Sequence, residues 1–520
     1  MNLRTTAWVI VCCIVMSSYT VSARSNDTSL HPLTHEDLRW LNRVTFGVNS
    51  ETVERYQQLG RSRFFDEQLR PPADDPPELA TDIRALSISQ KSAKEALKAA
   101  RSEQQRIQRL DNPEEQQRAR MVLNQQKNKM TYETAKRQLM RNLYSPWQLR
   151  EQLTWFWMNH FSVFSGKGDV AFMLADYENN AVRLHALGYF RDLVLATLKS
   201  PAMLIYLDNA QSAVRKINEN YARELMELHT LGVSGGPSGS HYSQQDVQEL
   251  ARVLTGVGII PSVDQPQFRP VRRPQPVREG AFEFNPNRHD FGTKKILNET
   301  IKGTGMDEVE HAVSLLCRQP ATARFISMKL ATYFVSDNPP RKLVDAMVTT
   351  FKQTDGNIAA VLGTMFTSSE FIAILNRPQI EAGKFKDPVQ FVVSSLRLAY
   401  DSKRIINYRP VVNWLQQLGE PLYGRMTPDG YPLEESAWTS LGQIVKRFEI
   451  TRAIGNGNAR LFDDDDGTPR RTGFPMLASR LFYDTIEPTL SAKTRTALDQ
   501  ATSQQEWNML LLASPDWMVR

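Results

Sequence analysis

The chain has 520 residues, of which 41% are apolar and 23% charged, and a formal charge of +6. That is the composition of a soluble protein, long enough for two or three domain-sized units or one large helical body. The charge is uneven: Arg84–Arg141 holds 14 Lys and Arg against 6 Asp and Glu, so the rest is near neutral and nucleic acid is not expected as a partner.

Residues 1–23 read as a signal peptide. Arg4 supplies the positive start, Ala7–Met16 the short apolar core, and Val21-Ser22-Ala23 the small-residue cleavage site. The core is too short for a membrane span, and no later stretch approaches transmembrane length. No twin Arg precedes it, so the general secretory route is expected, with a periplasmic or extracellular destination. Cys12 and Cys13 leave with the leader. Cys317 then stands alone, without an internal disulfide, and reads as a small buried hydrophobe rather than a nucleophile.

Residues 24–77 form N-terminal helices and a linker. Thr34 and Asp37 make a capping box, a second short helix Ser50–Leu59 closes at Gly60, and Phe64–Leu69 makes a third. Residues 78–143 are rich in Gln, Lys, Arg, Ala and Glu. Asp111-Asn112-Pro113 is a tight turn between two long helices, so this basic stretch reads as a projecting helical hairpin. It lacks the interleaved aromatics that stack on bases.

Residues 144–257 form the central helical core. Ser145-Pro146-Trp147-Gln148 reads as a helix start, with Ser145 as cap. In LREQLTWFWMNHFSVF, His160 sits in an apolar stripe with Leu149, Leu153, Phe156 and Phe164. Further helices are expected at Val170–Leu187, Phe190–Leu198 and Ala202–Leu207, and one capped by Ser243 runs to Leu254.

Residues 258–303 are an extended excursion. Phe282-Glu283-Phe284 alternates like a strand, with Ile296–Ile301 pairing back as one short hairpin. Residues 304–520 return to helices. The acidic run Asp463–Asp466 fails the EF-hand pattern and reads as a solvated turn. There is no P-loop, dinucleotide fingerprint, GxSxG, HExxH or haem motif.

The central stretch is Asn218–Val233, NENYARELMELHTLGV, read as a helix closed by Gly232 and the loop SGGPSGS. Helical spacing puts Tyr221, Ala222, Leu225 and Leu228 on one flank. Asn220, Glu224 and Glu227 share the other, with Arg223 at their edge. A carboxylate pair three residues apart can bind a cation, hold an Arg or do acid/base work, and it also suits an ordinary wet face. His229 points to the apolar side. His160, His185, Glu224, Glu227, His289 and Asp290 together would make a divalent-metal or acid/base site. In the metal set stand His160, His185, His289, Glu224 and Glu227. The catalytic set is Glu224, Glu227, His289 and Asp290. Each has a structural alternative, a satisfied core histidine for His160 above all.

The stretches LRWLNRVTFGVNSETV, LREQLTWFWMNHFSV, RLHALGYFRDLVLATLKSPAMLIYLDNA, NENYARELMELHTLGV, QQDVQELARVLTG, FEFNPNRHDFGTKKILN, ARFISMKLATYFVSD and GEPLYGRMTPDGYP follow one another in order. They resemble the bacterial exported family known as domain of unknown function 1800. The resemblance implies polar marks at Asn159, His160, Arg183, His185, Asp208, Asn209, Asn220, Arg223, Glu224, Glu227, His289 and Asp290. The 84–141 arm looks like an insertion, and His229 stands where the family commonly has Phe. The resemblance also implies, by association, an exported companion similar to sulfatases and alkaline phosphatases.

The expected molecule is therefore mainly α: a large multi-helix body with one short β excursion and a projecting helical hairpin. Two functions stay open. One is an accessory protein in cell-envelope or extracellular polymer metabolism, working beside that companion with the hairpin as docking arm. The other is a metal-assisted hydrolase using the His/Glu/Asp cluster.

Overall fold

A computed structural model describes residues 33–233, 242–260, 276–377, 383–464, 468–470 and 473–520. The leader, the glycine-rich loop after Val233, most of 258–280 and the end of the acidic run lie outside these residues. The described chain is mainly α-helical, with two small antiparallel sheets.

The first helix, His35–Val44, has its capping box in full: Asp37 N–H donates to Thr34 Oγ1 at 3.1 Å, and Thr34 N–H returns to Asp37 Oδ2 at 3.0 Å. The next, Ser50–Leu69, is broken by Gly60 at φ 72°, a backbone that side chains resist. Trp40 meets Phe65 and Phe366 edge-on at 5.4 and 6.2 Å. These ring contacts hold the N-terminal helices against Ile358–Thr367, from far along the chain. Buried Arg43 donates to the Phe334 and Val335 carbonyls, at the end of helix Pro320–Phe334.

The basic stretch forms helices Pro77–Arg84, Ala93–Gln108 and Pro113–Tyr144, with Asn112 capping the last through Glu114 N–H at 2.9 Å. Ala96, Leu97, Ala100, Ile107 and Leu123 are buried. Gln104 donates to Asp169 Oδ1 and Lys127 to the Gly168 carbonyl, so both helices of the hairpin are fastened to the body, Gln104 close to the turn between them. The outer side of the second helix is open, with Met121 and Val122 55% and 53% exposed.

Helix Gln148–His160 is the spine, and every residue in it is buried. Ser145 Oγ accepts from Trp147 N–H at 3.2 Å, but the regular helix begins only at Gln148 and the full capping box is not formed. Gln148 instead ties the helix start to the N-terminal segment, accepting from Phe46 N–H at 3.1 Å and donating to the Ser145 carbonyl at 2.7 Å. The expected helix Val170–Leu187 also divides. It is α over Val170–Asp176, π over Tyr177–Val182 and 3₁₀ over Arg183–His185.

The β excursion is two sheets rather than one hairpin. Phe282–Phe284 lies between Val257–Ile259 and Val277–Glu279, and is buried on both faces because Glu283 is paired with Arg278 at 2.8 Å. Lys294–Ile296 pairs separately with Glu299–Ile301 around Leu297 and Asn298, both at positive φ. The later helices include Met306–Cys317, Pro320–Phe334, Pro388–Tyr400 and Leu441–Gly455, within the expected helical region. Cys317 is a buried free thiol. No single helix among the described residues is long and apolar enough to cross a membrane.

Candidate functional site

His160 ends the spine helix inside a ring of aromatics, 4.5 Å from Phe161 and 5.5 Å from Trp157 between centroids. Its Nε2 stands 3.1 Å from the His229 carbonyl, which can only accept, so Nε2 carries the proton. Nδ1 is then free to accept from Lys329 Nζ at 2.9 Å. Burial first, then the charges of Lys329 and His229, holds His160 well below the ordinary histidine range. Burial also brings the Lys329 ammonium down to about 8, against the opposing pull of Glu434 and Asp429.

His229 does point to the apolar side, and is fully buried beside Phe161 and Tyr221. Neither ring nitrogen has a hydrogen-bond partner. Burial pushes it down to about 3, with the Lys329 charge adding to the effect. It behaves as an aromatic filler, which agrees with the packing role read from the sequence.

The central stretch is α only over Asn220–Glu224 and then opens into a π-helix over Leu225–Thr230. The wider turn shows in two bonds spanning five residues: Leu231 N–H to the Met226 carbonyl at 2.7 Å, and Thr230 Oγ1 to the Leu225 carbonyl at 2.6 Å. The buried flank is Tyr221, Ala222, Leu225, Met226, His229 and Thr230. Leu228, expected there, is turned to the half-exposed side with Glu224 and Glu227. Burial raises the Glu224 carboxyl above its ordinary value. The charges of Glu227 and Asp429 add to the rise, and Arg223 opposes it. Asn220 N–H is capped by Asn218 at 2.9 Å, and its side chain donates to the Leu207 carbonyl. Arg223 bonds Glu219 and Gln244, an outer brace rather than a partner within the pair.

The loop Gly419–Pro432 completes this face. Asn159 Oδ1 accepts from Tyr431 N–H at 2.5 Å, and its Nδ2 donates to the Tyr431 carbonyl at 2.9 Å. Gly430 passes so close that a Cβ there would stand 2.2 Å from the Asn159 carbonyl oxygen. Arg425 and Thr427 both donate to Asp429, and Tyr206 donates to the Met426 carbonyl at 2.9 Å. Burial and the charges of Asp429 and Glu224 push Tyr206 up to about 12. Asp429 is thus the common electrostatic neighbour of Glu224, Tyr206 and Lys329. Asp208 pairs with Lys167 at 2.8 Å beside this face, while Asn209 is buried and donates to the Leu254 and Val257 carbonyls.

The other expected members lie in structures of their own. His289 donates from Nδ1 to the Thr255 carbonyl at 2.6 Å, and its Nε2 stands 3.1 Å from Glu308 Oε1, out of line for a good hydrogen bond. Lys294 bonds the same carboxylate and the Asp290 carbonyl. Asp290 is held by Arg252 at 2.9 Å, which keeps its carboxyl below the usual range, helped by the Gly292 N–H. This buried trio fastens the small sheets to helix Met306–Cys317. His185 lies half-buried beside the Arg183 ion network, where burial lowers its pKa and the Asp192 charge opposes the fall. Arg183 itself bonds Glu151 at 2.7 Å and Asp75 at 2.6 Å.

Two corrections follow. No group of three or more His, Cys, Asp or Glu among the described residues is placed to hold a metal. His160, His185, His289 and the Glu224/Glu227 pair do not form one ligand set, because the ring nitrogens of His160 and His289 are turned to carbonyls, Lys329 and Glu308. His289 and Asp290 likewise do not join Glu224 and Glu227 as one acid/base group. The residues that sequence reasoning missed are Lys329, Asp429 and Tyr206. All three lie in stretches that carry the family resemblance, yet each alone looks like an ordinary surface residue. Also missed were the buried carboxyls of Asp387 and Glu420, both raised by burial. They accept from the Gln390 and Val389 amides at the start of helix Pro388–Tyr400.

The molecule is thus a mainly helical protein with a mixed acid/base face where the spine helix, a π-helix and a long loop meet. The family described as "Protein of unknown function (DUF1800)" matches residues 39–519, and the chain belongs to that family. No curated protein and no solved structure matches the chain.

Proposed function

We propose that this is an exported accessory protein of cell-envelope or extracellular polymer metabolism, acting beside a sulfatase- or phosphatase-like companion. Its working surface is the face built from Glu224, Glu227, Asp429, Tyr206 and Lys329. The leader-like sequence at residues 1–23 supports export, and the family resemblance supports the companion. The observation that carries the assignment is electrostatic: burial and Glu227 raise Glu224, with Asp429 adding to the rise, and Asp429 also acts on Lys329, which burial has brought down to about 8. Perturbed groups of both signs around one acidic loop mark a site rather than a wet surface. Half-exposed carboxylates beside tyrosines are suited to accept hydrogen bonds from a hydroxyl-rich polymer.

The test is affinity electrophoresis of the mature protein through gels holding neutral and acidic polysaccharides. Retardation that disappears in Asp429→Asn is expected. Equal mobility in every gel overturns the assignment.

A second reading is a hydrolase. Glu224, with its raised pKa, would donate a proton to a leaving oxygen, and Glu227 would activate water. The raised Glu224 favours it, and the metal histidines are not needed. It requires release of reducing ends or free acid that Glu224→Gln abolishes while binding persists.

A further inference from the structure

A cavity of about 780 Å³ opens between the linker 70–77, helix Pro77–Arg84 and the turn after Arg183, away from the acid/base face. Its size is that of a small-molecule pocket. Its wall carries Arg141, Arg150 and Arg183, each of whose side chains is at most 7% exposed.

Those guanidinium groups belong to a buried ion network that does not balance. Arg137 and Arg141 share Glu178, Arg183 and Arg150 share Glu151, and Arg141 and Arg183 both reach Asp75. Four arginines therefore face three carboxylates. Arg150 is the member held least completely: its Nε meets Glu151 at 3.3 Å and its Nη1 donates to the Pro72 carbonyl, but one amino group is left open. Its Nη2 donates no hydrogen bond and approaches Asp75 only at 3.9 Å. A buried guanidinium N–H without an acceptor is costly, and an anion oxygen in the cavity would satisfy it. Exposed Arg70, Arg84 and Asp74 also line the cavity, two cations to one anion. Opposite the arginines the wall is apolar, with Pro71, Ile83 and Leu184, and Leu184 is 65% exposed at the lip.

We infer that this cavity binds a saccharide-sized ligand bearing an oxyanion. The open Nη2 of Arg150, together with exposed Arg70 and Arg84, holds the charged group, and the apolar wall takes the body of the ligand. Guanidinium matches carboxylate, sulfate ester and phosphate ester alike, since each offers paired oxygens. The three sources are told apart by experiment.

The probes are a glucuronate disaccharide, a sulfated disaccharide, a sugar phosphate and the neutral disaccharide, titrated calorimetrically into the mature protein. At least one anionic probe is expected to bind saturably with a Kd of about 1 mM or tighter. Binding is expected to weaken as salt rises, and the neutral sugar is expected not to bind. Leu184→Glu, at an exposed position, places a negative charge at the lip and should weaken binding about tenfold or more. Arg150→Gln should do the same if it folds, and thermal melting checks that it does. No saturable binding of any anion overturns the inference. So does binding that Leu184→Glu leaves unchanged.

Discussion

Asn159 holds Tyr431 by both ends of its amide, accepting from the Tyr431 N–H and donating to its carbonyl. The two residues are 272 positions apart, and this clasp brings Asp429 to the end of the spine helix. The acid/base face depends on it, because Asp429 acts on Glu224, Tyr206 and Lys329 together.

Asn159→Ala removes two buried hydrogen bonds and leaves the Tyr431 backbone without partners. The expected loss is about 2 kcal/mol in denaturant unfolding. Faster hydrogen exchange at the Tyr431 amide would place that loss in the loop. Unchanged exchange would mean that the loop is held elsewhere.

His229→Phe replaces a fully buried ring with two unpartnered nitrogens by an apolar ring of similar shape. It should stabilise the protein by about 1 kcal/mol at neutral pH. The variant should also change the acid limb. His160 and His229 both have folded values below their unfolded ones, so the unfolded chain takes up protons first as pH falls below 6.5. Stability is present above that pH and is lost as pH drops toward about 3 for His229. Each histidine contributes a slope of up to about 1.4 kcal/mol per pH unit. Chemical denaturation between neutral pH and pH 4 should show the slope reduced in His229→Phe.

Glu224 runs the other way. Its folded value lies above the ordinary 4.5, so the folded state keeps the proton longer than the unfolded chain. Its contribution is present at low pH and is lost as pH rises through that window. Glu227→Gln and Asp429→Asn each remove a charge that raises it. Carboxyl NMR titration should show the Glu224 midpoint fall in both variants, and a midpoint that stays put in both would remove the electrostatic link.

Glu308→Gln leaves Lys294 buried with its carboxylate partner gone. A loss of about 3–5 kcal/mol is expected, the cost of an uncompensated buried charge. The double change Lys294→Met, Glu308→Leu should recover most of it. A double variant as unstable as the single one would show that the trio stabilises more than its charges cost.

The parts of the fold governed by local chemistry were readable in the chain. Thr34 with Asp37 and Ser243 with Asp246 cap the helices expected of them, the turn at Asn112 separates two helices as expected, and Gly60 breaks its helix. The π-turns were not readable. Hydrophobic spacing at 3.6 residues per turn cannot show where hydrogen bonds step to five residues, and so Leu228 was put on the wrong flank. Of the site, Glu224 and Glu227 were found because they are neighbours on one helix. Lys329 and Asp429 are more than 90 residues from each other and from that helix, and only tertiary packing unites them. The histidines were grouped by their chemistry, but burial gave His160 and His289 separate hydrogen-bonding tasks.

Amine acylation of the mature protein at pH 8, read residue by residue by mass spectrometry, tests the working face most directly. With its ammonium lowered to about 8, Lys329 should react faster than the exposed lysines, and a bound oligosaccharide fragment should slow it selectively. Lys329 reacting no faster than the exposed lysines, and equally with and without every fragment tried, would contradict the account.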